Sequence, residues 1–213
     1  MDSASPGPAK RGVERSARES RVLDGDPHRS RSLNLEPSIE IRTELRPGDL
    51  GAITQLHGTL YARERGWDPT FEAYVAAGLA EFVLRYDPRR DRLWVAELEG
   101  RIVGSIAIQG RDEGTAQLRW FLVVPDYRGS GMGGRLLEDA LAFCRSRGFR
   151  LVFLWTVAEL TEAARLYLAA GFRCVEEQRH QRWGTQVVEQ RYEWTPGSGT
   201  AGPPHPETEP GSP

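Results

Sequence analysis

Apolar residues recur along the chain with two spacings, and the switches between them outline a succession of strands and helices. Ile39-Glu40-Ile41-Arg42-Thr43-Glu44-Leu45 alternates with period two and predicts a first strand. Pro47-Gly48-Asp49 then opens a helix running to about Glu64. A second helix is signalled by Asp68 as N-cap and Pro69 at the first helical position. Phe71, Tyr74, Val75, Leu79, Phe82 and Val83 follow at helical spacing, and the helix ends before Asp87-Pro88. Leu93–Leu98 and Ile102–Ile108 flank the turn Glu99-Gly100-Arg101 and predict a hairpin. Thr115–Val124 is a further strand, closed by Pro125.

Residues 131–147 predict a helix with Leu136, Leu137, Ala140, Leu141 and Cys144 on one face, stopped by Gly148. Leu151–Trp155 is a continuous apolar run, as in a central strand covered on both faces. A last helix over Thr161–Ala170 is expected to bury Ala163, Leu166, Tyr167 and Ala170 before Gly171 ends it. Strands near Phe172–Glu177 and Val187–Trp194 complete the order β-α-α-β-β-β-α-β-α-β-β. Early hairpins and later helical crossovers imply an α/β (α+β) fold, a mixed central sheet of about seven strands with helices on both faces.

This patterned region, residues 39–195, reads as one domain. Residues 1–37 contain no Phe, Tyr or Trp, and none follows Trp194. Tails over 1–38 and 196–213 are therefore expected to be disordered, because so little apolar surface does not offset the entropy of ordering. The arginines of the first tail are nearly balanced by Glu14, Glu19, Asp24 and Asp26, and the formal net charge is −2. That balance points to neither nucleic acid nor an anionic membrane as partner. No stretch reaches the ~20 apolar residues of a membrane span, and no signal-peptide apolar region is seen. Cys144 and Cys174 stand alone in sequence and read as reduced thiols in the cytoplasm, with no metal site.

The stretch richest in chemistry is Val124-Pro125-Asp126-Tyr127-Arg128-Gly129-Ser130-Gly131-Met132-Gly133-Gly134-Arg135-Leu136-Leu137, in which a strand enters a glycine-rich loop opening an amphipathic helix. Glycines admit close approach of a ligand to the backbone, and the first helical N–H groups have no internal partner. With the helix dipole, they suit a phosphate or pyrophosphate. Gly129–Gly134 also satisfies G-x-G-x-x-G, but Pro125–Arg128 separate the strand from the first glycine. No acidic residue stands in Trp155-Thr156-Val157, and hairpins precede the motif, so a dinucleotide fold is disfavoured. A phosphate loop of the Walker kind is excluded because no Lys-Ser/Thr follows the glycines.

Arg128-x-x-Gly131-x-Gly133, preceded by Phe121-Leu122-Val123-Val124-Pro125, resembles the coenzyme A signature of GNAT-type N-acetyltransferases. Ala163-Ala164-Arg165-Leu166-Tyr167-(x)3-Gly171-Phe172 is similar to that family's second motif, and the likeness extends over about residues 39–195. Within the family, His57-Gly58, Gly66-Trp67-Asp68 and Leu154-Trp155-Thr156 look like the acetyltransferase half of proteins with a MarR-type DNA-binding domain fused upstream. Residues 1–37 read as too short and too polar for such a domain.

The resemblance implies acetyl-CoA as cosubstrate and a primary amine, on a small molecule or a protein, as acceptor; a homodimer stays open. It implies that backbone N–H groups of Arg128, Gly129, Ser130, Gly131, Met132 and Gly133, with Gly134, hold the pyrophosphate, the Arg128 side chain adding a charge-assisted bond. Backbone groups of Phe121, Leu122 and Val123 would face pantetheine on a strand splayed from its neighbour, the Phe121 N–H aimed at the thioester carbonyl. Tyr167 takes the place of the tyrosine that protonates the leaving thiolate. The sequence departs from the family in two places. Gln117 stands where many members carry a glutamate base, and Leu160 where an asparagine is frequent. Glu64, Asp68, Glu72, His57 and Glu159 are the alternative bases. Tyr61, Trp67, Phe71, Trp183 and Tyr192 supply aromatic surface near the acceptor, Glu64 and Asp68 are candidates to attract an amine cation, and Arg179–Trp183 reads as a polar loop beside it. An acyl-CoA sensor without turnover is the competing function, favoured by Gln117 and Leu160.

Overall fold

The computed structural model describes residues 38–112 and 114–197. The proposed disorder of both tails concerns residues outside this range, apart from their innermost positions. Seven strands and four α-helices follow in the order β1 (Glu40–Arg42), α1 (Asp49–Arg65), α2 (Pro69–Leu84), β2 (Arg92–Leu98), β3 (Arg101–Gly110), β4 (Thr115–Val123), α3 (Met132–Ser146), β5 (Leu151–Val157), α4 (Thr161–Ala169), β6 (Arg173–Arg182) and β7 (Thr185–Trp194), with a 3-10 turn at Pro125–Tyr127. They form one sheet in the order β1-β2-β3-β4-β5-β7-β6. Only β4 and β5 are parallel; all other neighbours are antiparallel.

Local chemistry sets the boundaries. Asp68 caps α2 by accepting the Thr70 N–H at 2.9 Å, with Pro69 at the first position. Glu99 and Gly100, both at positive φ (49° and 76°), make the tight turn between β2 and β3. Gly148 (φ 71°) and Gly171 (φ 92°) end α3 and α4 in the left-handed conformation. The first strand is tied down by charge: Arg42 is buried and donates through both Nη atoms to Asp49 (2.9 and 2.6 Å) and through Nε to Glu97 (2.8 Å). Burial alone would raise the Asp49 pKa, but the Arg42 hydrogen bonds, backed by the Arg46 N–H, hold it below the ordinary carboxylate value.

Two apolar clusters lie on the two faces of the sheet. Leu136, Leu137, Ala140, Leu141, Phe143 and Cys144 of α3 pack with Ile106, Ile108, Leu118, Val152 and Leu154. Ile53 of α1 and Phe71, Val75, Leu79 and Phe82 of α2 pack with Leu93, Val95, Ala107, Trp120 and Val157. Tyr74 and Val83, grouped with this stripe by spacing, are exposed.

Three expectations are corrected by the packing. The run Leu151–Trp155 is fully covered on one face only: Val152 and Leu154 are buried, but Leu151, Phe153 and Trp155 are half-buried, the Phe153 ring lying under the Arg191 guanidinium at 4.7 Å. In α4, Leu166 remains 37% exposed and Tyr167 alone is buried. Arg179–Arg182 belong to β6, and only Trp183 and Gly184 turn the chain, at φ 54° and 79°. The strand expected near Phe172–Glu177 thus runs on to Arg182; its second half is polar on both sides, and pairing with β7, from Arg173↔Glu193 to Arg182↔Thr185, sets its length.

Candidate functional site

The site starts from a defect in the sheet. Opposite β3, the register of β4 shifts between Ser105 and Ala107, where Trp120 has φ 46°. Such a bulge is strained for a tryptophan, and Ser105 Oγ secures it by donating to the Trp120 carbonyl at 2.7 Å in the interior. The bulge changes which face each side chain meets. Arg119 and Trp120 lie toward α2, both close to Gly78, whereas Phe121 meets Tyr167 of α4 with ring centroids 5.9 Å apart.

The neighbouring strands part at the same level. Parallel pairing of β4 and β5 covers Thr115↔Leu151, Ala116↔Val152 and Gln117↔Phe153 and then stops, although both strands continue. Val124 donates its N–H to Val103 of β3, so strand alternation turns Leu122 toward β3 and aims the backbone groups of Phe121 and Val123 into the opening. Of the three backbone positions expected there, two face it.

Below the opening lies the glycine loop. Gly131 caps α3 at φ 89°, and the next bonded helical N–H is that of Arg135, which donates to Gly131 at 3.0 Å. The N–H groups of Gly129, Ser130, Gly131, Gly133 and Gly134 have no acceptor among the described residues, and that of Met132 reaches only Ser130 Oγ at 3.4 Å. A Cβ at Gly129, Gly131 or Gly134 would meet nothing within 4 Å, so their outer faces are open. Gly133 lets α3 approach closely: a Cβ there would stand 3.3 Å from Leu166 Cδ1 and 3.6 Å from Phe121 Cζ. Arg128 is placed apart from this cradle. Its N–H donates to Pro125, and its guanidinium contacts Glu64 (3.0 Å) and the Val123 carbonyl (3.0 Å). The cradle therefore begins at Gly129.

A cavity of about 130 Å³ joins the two faces through the gap in the sheet. Its lining includes Phe121, Ala163 and Tyr167 from one side and His57, Tyr61, Phe71, Tyr74 and Trp183 from the other. Tyr167 is buried among Phe121, Phe172 and Tyr192, yet its hydroxyl makes no hydrogen bond among the described residues. Burial pushes its pKa well above the ordinary tyrosine value, which keeps it protonated.

Residues 58–172 match the acetyltransferase (GNAT) family. The chain belongs to that family. Among curated relatives, N-acetylaspartate synthetase of Danio rerio is 36% identical over 91 residues, 42% of this chain and 32% of that protein. The N-acetyltransferase MJ1207 of Methanocaldococcus jannaschii is 30% identical over 149 residues, 65% of this chain and 62% of the relative. The matched part thus spans about a third of the first relative and under two thirds of the second. Among solved structures, yncA of Salmonella typhimurium, determined with its cofactor acetyl-CoA, superposes with a TM-score of 0.60 at 17% identity over 78% of this chain and 98% of its own. That likeness shows the GNAT fold.

Set in the GNAT frame, the candidate bases separate. Glu64 is ion-paired to Arg128, Asp68 caps α2, and Glu159 is exposed. Glu72 lies over Gly58, where an added Cβ would clash with its carboxylate at 2.3 Å. Only His57 of the five lines the cavity. Its Nδ1 pairs with the Ile53 carbonyl at 2.9 Å, so the neutral ring donates there and keeps an Nε2 lone pair. Burial, partly offset by that backbone bond, lowers its pKa to about 4. Gln117 does reach the cavity, but its Oε1 is held by Arg111 Nε at 3.0 Å. Leu160 lines the cavity as an apolar group. Glu189, which sequence periodicity did not single out, is the only carboxylate in the lining; Arg182 and His180 hold it, each at 3.3 Å.

Of the acceptor aromatics, Trp67 stacks on Tyr61 at 4.8 Å and meets Trp183 at 4.5 Å, which makes a wall at one end of the cavity. Tyr192 instead packs behind Tyr167 and is absent from the lining. Among the described residues no helix is long and apolar enough to cross a membrane, and no His/Cys/Asp/Glu cluster could hold a metal.

Proposed function

We propose that this GNAT protein transfers the acetyl group of acetyl-CoA to a primary amine. One observation carries the reading: Phe121 and Tyr167 line one cavity where β4 and β5 part, and Phe121 also adjoins Gly133 of the loop whose backbone N–H groups are unpaired among the described residues. Gly129–Gly134 would hold the pyrophosphate, and the edge at Phe121 and Val123 the pantetheine amides. The glycine N–H groups fit a pyrophosphate because they are unpaired among the described residues and the outer faces of Gly129, Gly131 and Gly134 are open, while at Val123 the carbonyl accepts from Arg128 Nε at 3.0 Å.

In this reading a neutral amine enters from the α1/α2 side and attacks the thioester carbon. The N–C bond forms, the carbonyl oxygen gains negative charge, and the Phe121 N–H stabilises it, an effect worth on the order of 10²–10³ in rate for a fixed donor. The C–S bond then breaks and Tyr167 gives its proton to the departing sulfur. His57 Nε2 accepts the amine proton, directly or through water. Every group invoked lies on one chain, so a homodimer is not needed for chemistry. A cytoplasmic setting agrees with two free thiols, Cys144 and Cys174. The finer likeness to MarR-fused members rests on His57-Gly58 and Gly66-Trp67-Asp68, and packing gives these residues local roles: the absent Cβ of Gly58 admits Glu72, and Trp67 walls the cavity.

One observation favours the sensor instead: the position of the strand base is a carboxamide engaged by Arg111. Purified protein with acetyl-CoA and an amine panel separates the two. Free thiol appearing with stoichiometric N-acetyl product, identified by mass spectrometry, supports the transferase. Thermal stabilisation by acetyl-CoA with no thiol from any amine supports the sensor.

A further inference from the structure

The cavity has two permanently charged side chains in its lining, and they differ in how they are compensated. Glu189 is matched by Arg182 and approached by His180, so its charge is largely offset. Arg119 has no carboxylate partner among the described residues. Its Nη1 donates to Gln109 Oε1 at 3.3 Å, and its guanidinium lies 4.3 Å from the Trp120 ring centroid and 5.9 Å from that of Tyr74. Those contacts fix the plane of the group while leaving most of its donors unused.

Helix α2 makes room for it. A Cβ at Gly78 would stand 2.8 Å from Arg119 Nη2 and 3.2 Å from Trp120 Cζ2, so this helical glycine is the gap through which the guanidinium reaches. Behind it, Arg111 holds Gln117, itself part of the lining. Partial burial and then the charge of Arg119 lower the Arg111 pKa, which shows that the two cations feel each other. Arg111 also feels the acids Glu81 and Asp91, so Arg119 is the lining cation that has no carboxylate of its own among the described residues.

We propose that the acceptor amine also carries a carboxylate, as a free α-amino acid does, and that Arg119 binds that carboxylate. This rests on the transferase reading. A planar guanidinium fork matches a carboxylate through two parallel hydrogen bonds. Arg119 and Phe121 flank the bulge at Trp120 and line the same cavity, so an amino acid whose nitrogen meets the carbonyl held at Phe121 has Arg119 as the lining cation open to its carboxylate. The nearby positive charge also lowers the ammonium pKa, which favours the neutral nucleophile.

The test is thiol release by the full chain from acetyl-CoA with matched acceptors: free α-amino acids, their carboxamides and their decarboxylated amines. The free acids should be turned over with the higher kcat/KM. Arg119→Gln should raise KM for the preferred acid about 10- to 100-fold, with a smaller loss for the carboxamide than for the acid. Arg119→Lys should fall between the two. Retained thermal stabilisation by acetyl-CoA checks that each variant is folded. Preference for amides or decarboxylated amines overturns this inference alone, as does an Arg119→Gln loss equal for acids and amides, the mark of a packing role. No thiol release with any amine overturns the transferase reading and this inference with it.

Discussion

Tyr167 and His57 face the same cavity with opposite tendencies. Burial raises the tyrosine pKa and holds the proton on it, whereas burial strips the proton from the histidine. Tyr167→Phe should therefore lower kcat about 100-fold while leaving the affinity for acetyl-CoA nearly unchanged; steady-state kinetics with acetyl-CoA titrated at saturating amine decides it. His57 leaves a signature in stability. Its folded pKa of about 4 lies below the ordinary 6.5, so the unfolded chain takes up a proton that the native chain refuses as pH falls through that window. The native state should thus lose stability from pH 6.5 toward 4, by roughly 3 kcal/mol at the acid end. His57→Gln should remove that slope in urea unfolding curves measured across the window, and an unchanged slope would mean that the histidine is accessible to solvent. At this scale sequence reading was mixed. Tyr167 and the departures at Gln117 and Leu160 were legible because they sit at fixed offsets in motifs. Arg119 and Glu189 were not, since a single charged residue in a strand looks like a solvent-facing one until its neighbours are known.

At the scale of elements, the bulge in β4 and the glycine turn before α3 do most of the positioning. Gly131 has φ 89° and open space around its missing Cβ, so a side chain there is strained and projects into the cradle. Gly131→Val should destabilise the fold by about 1–2 kcal/mol and abolish the thermal shift given by acetyl-CoA. A retained shift would show that the loop does not hold the cosubstrate. The anchoring of β1 is a separate device. Arg42→Ala strands the buried Asp49 carboxylate and should cost about 3–5 kcal/mol, seen as a lower urea midpoint with unchanged slope. Turn and cap chemistry made most element boundaries readable. The second half of β6 escaped because nothing in Gln178-Arg179-His180-Gln181-Arg182 alternates in hydropathy; its strand character comes from β7 alongside.

For the whole molecule, binding and folding are linked through the split sheet, since the cradle and strand edge exist only when β3, β4 and β5 are assembled. Acetyl-CoA at a hundred times its Kd should therefore stabilise the native state by about 2.7 kcal/mol, measurable as a concentration-dependent Tm, and NAD at equal concentration should not. The chain's own order of apolar periods, caps and glycines determined the succession of strands and helices, the open glycine turn before α3 and the family motifs, because each of these depends on residues near one another in sequence. Which carboxylates were spent on partners, where the sheet opens, and which charge was left without an answer were decided only by tertiary packing. Those outcomes depend on side chains that meet across strands and helices, as Glu64 meets Arg128 and as Gly78 makes way for Arg119.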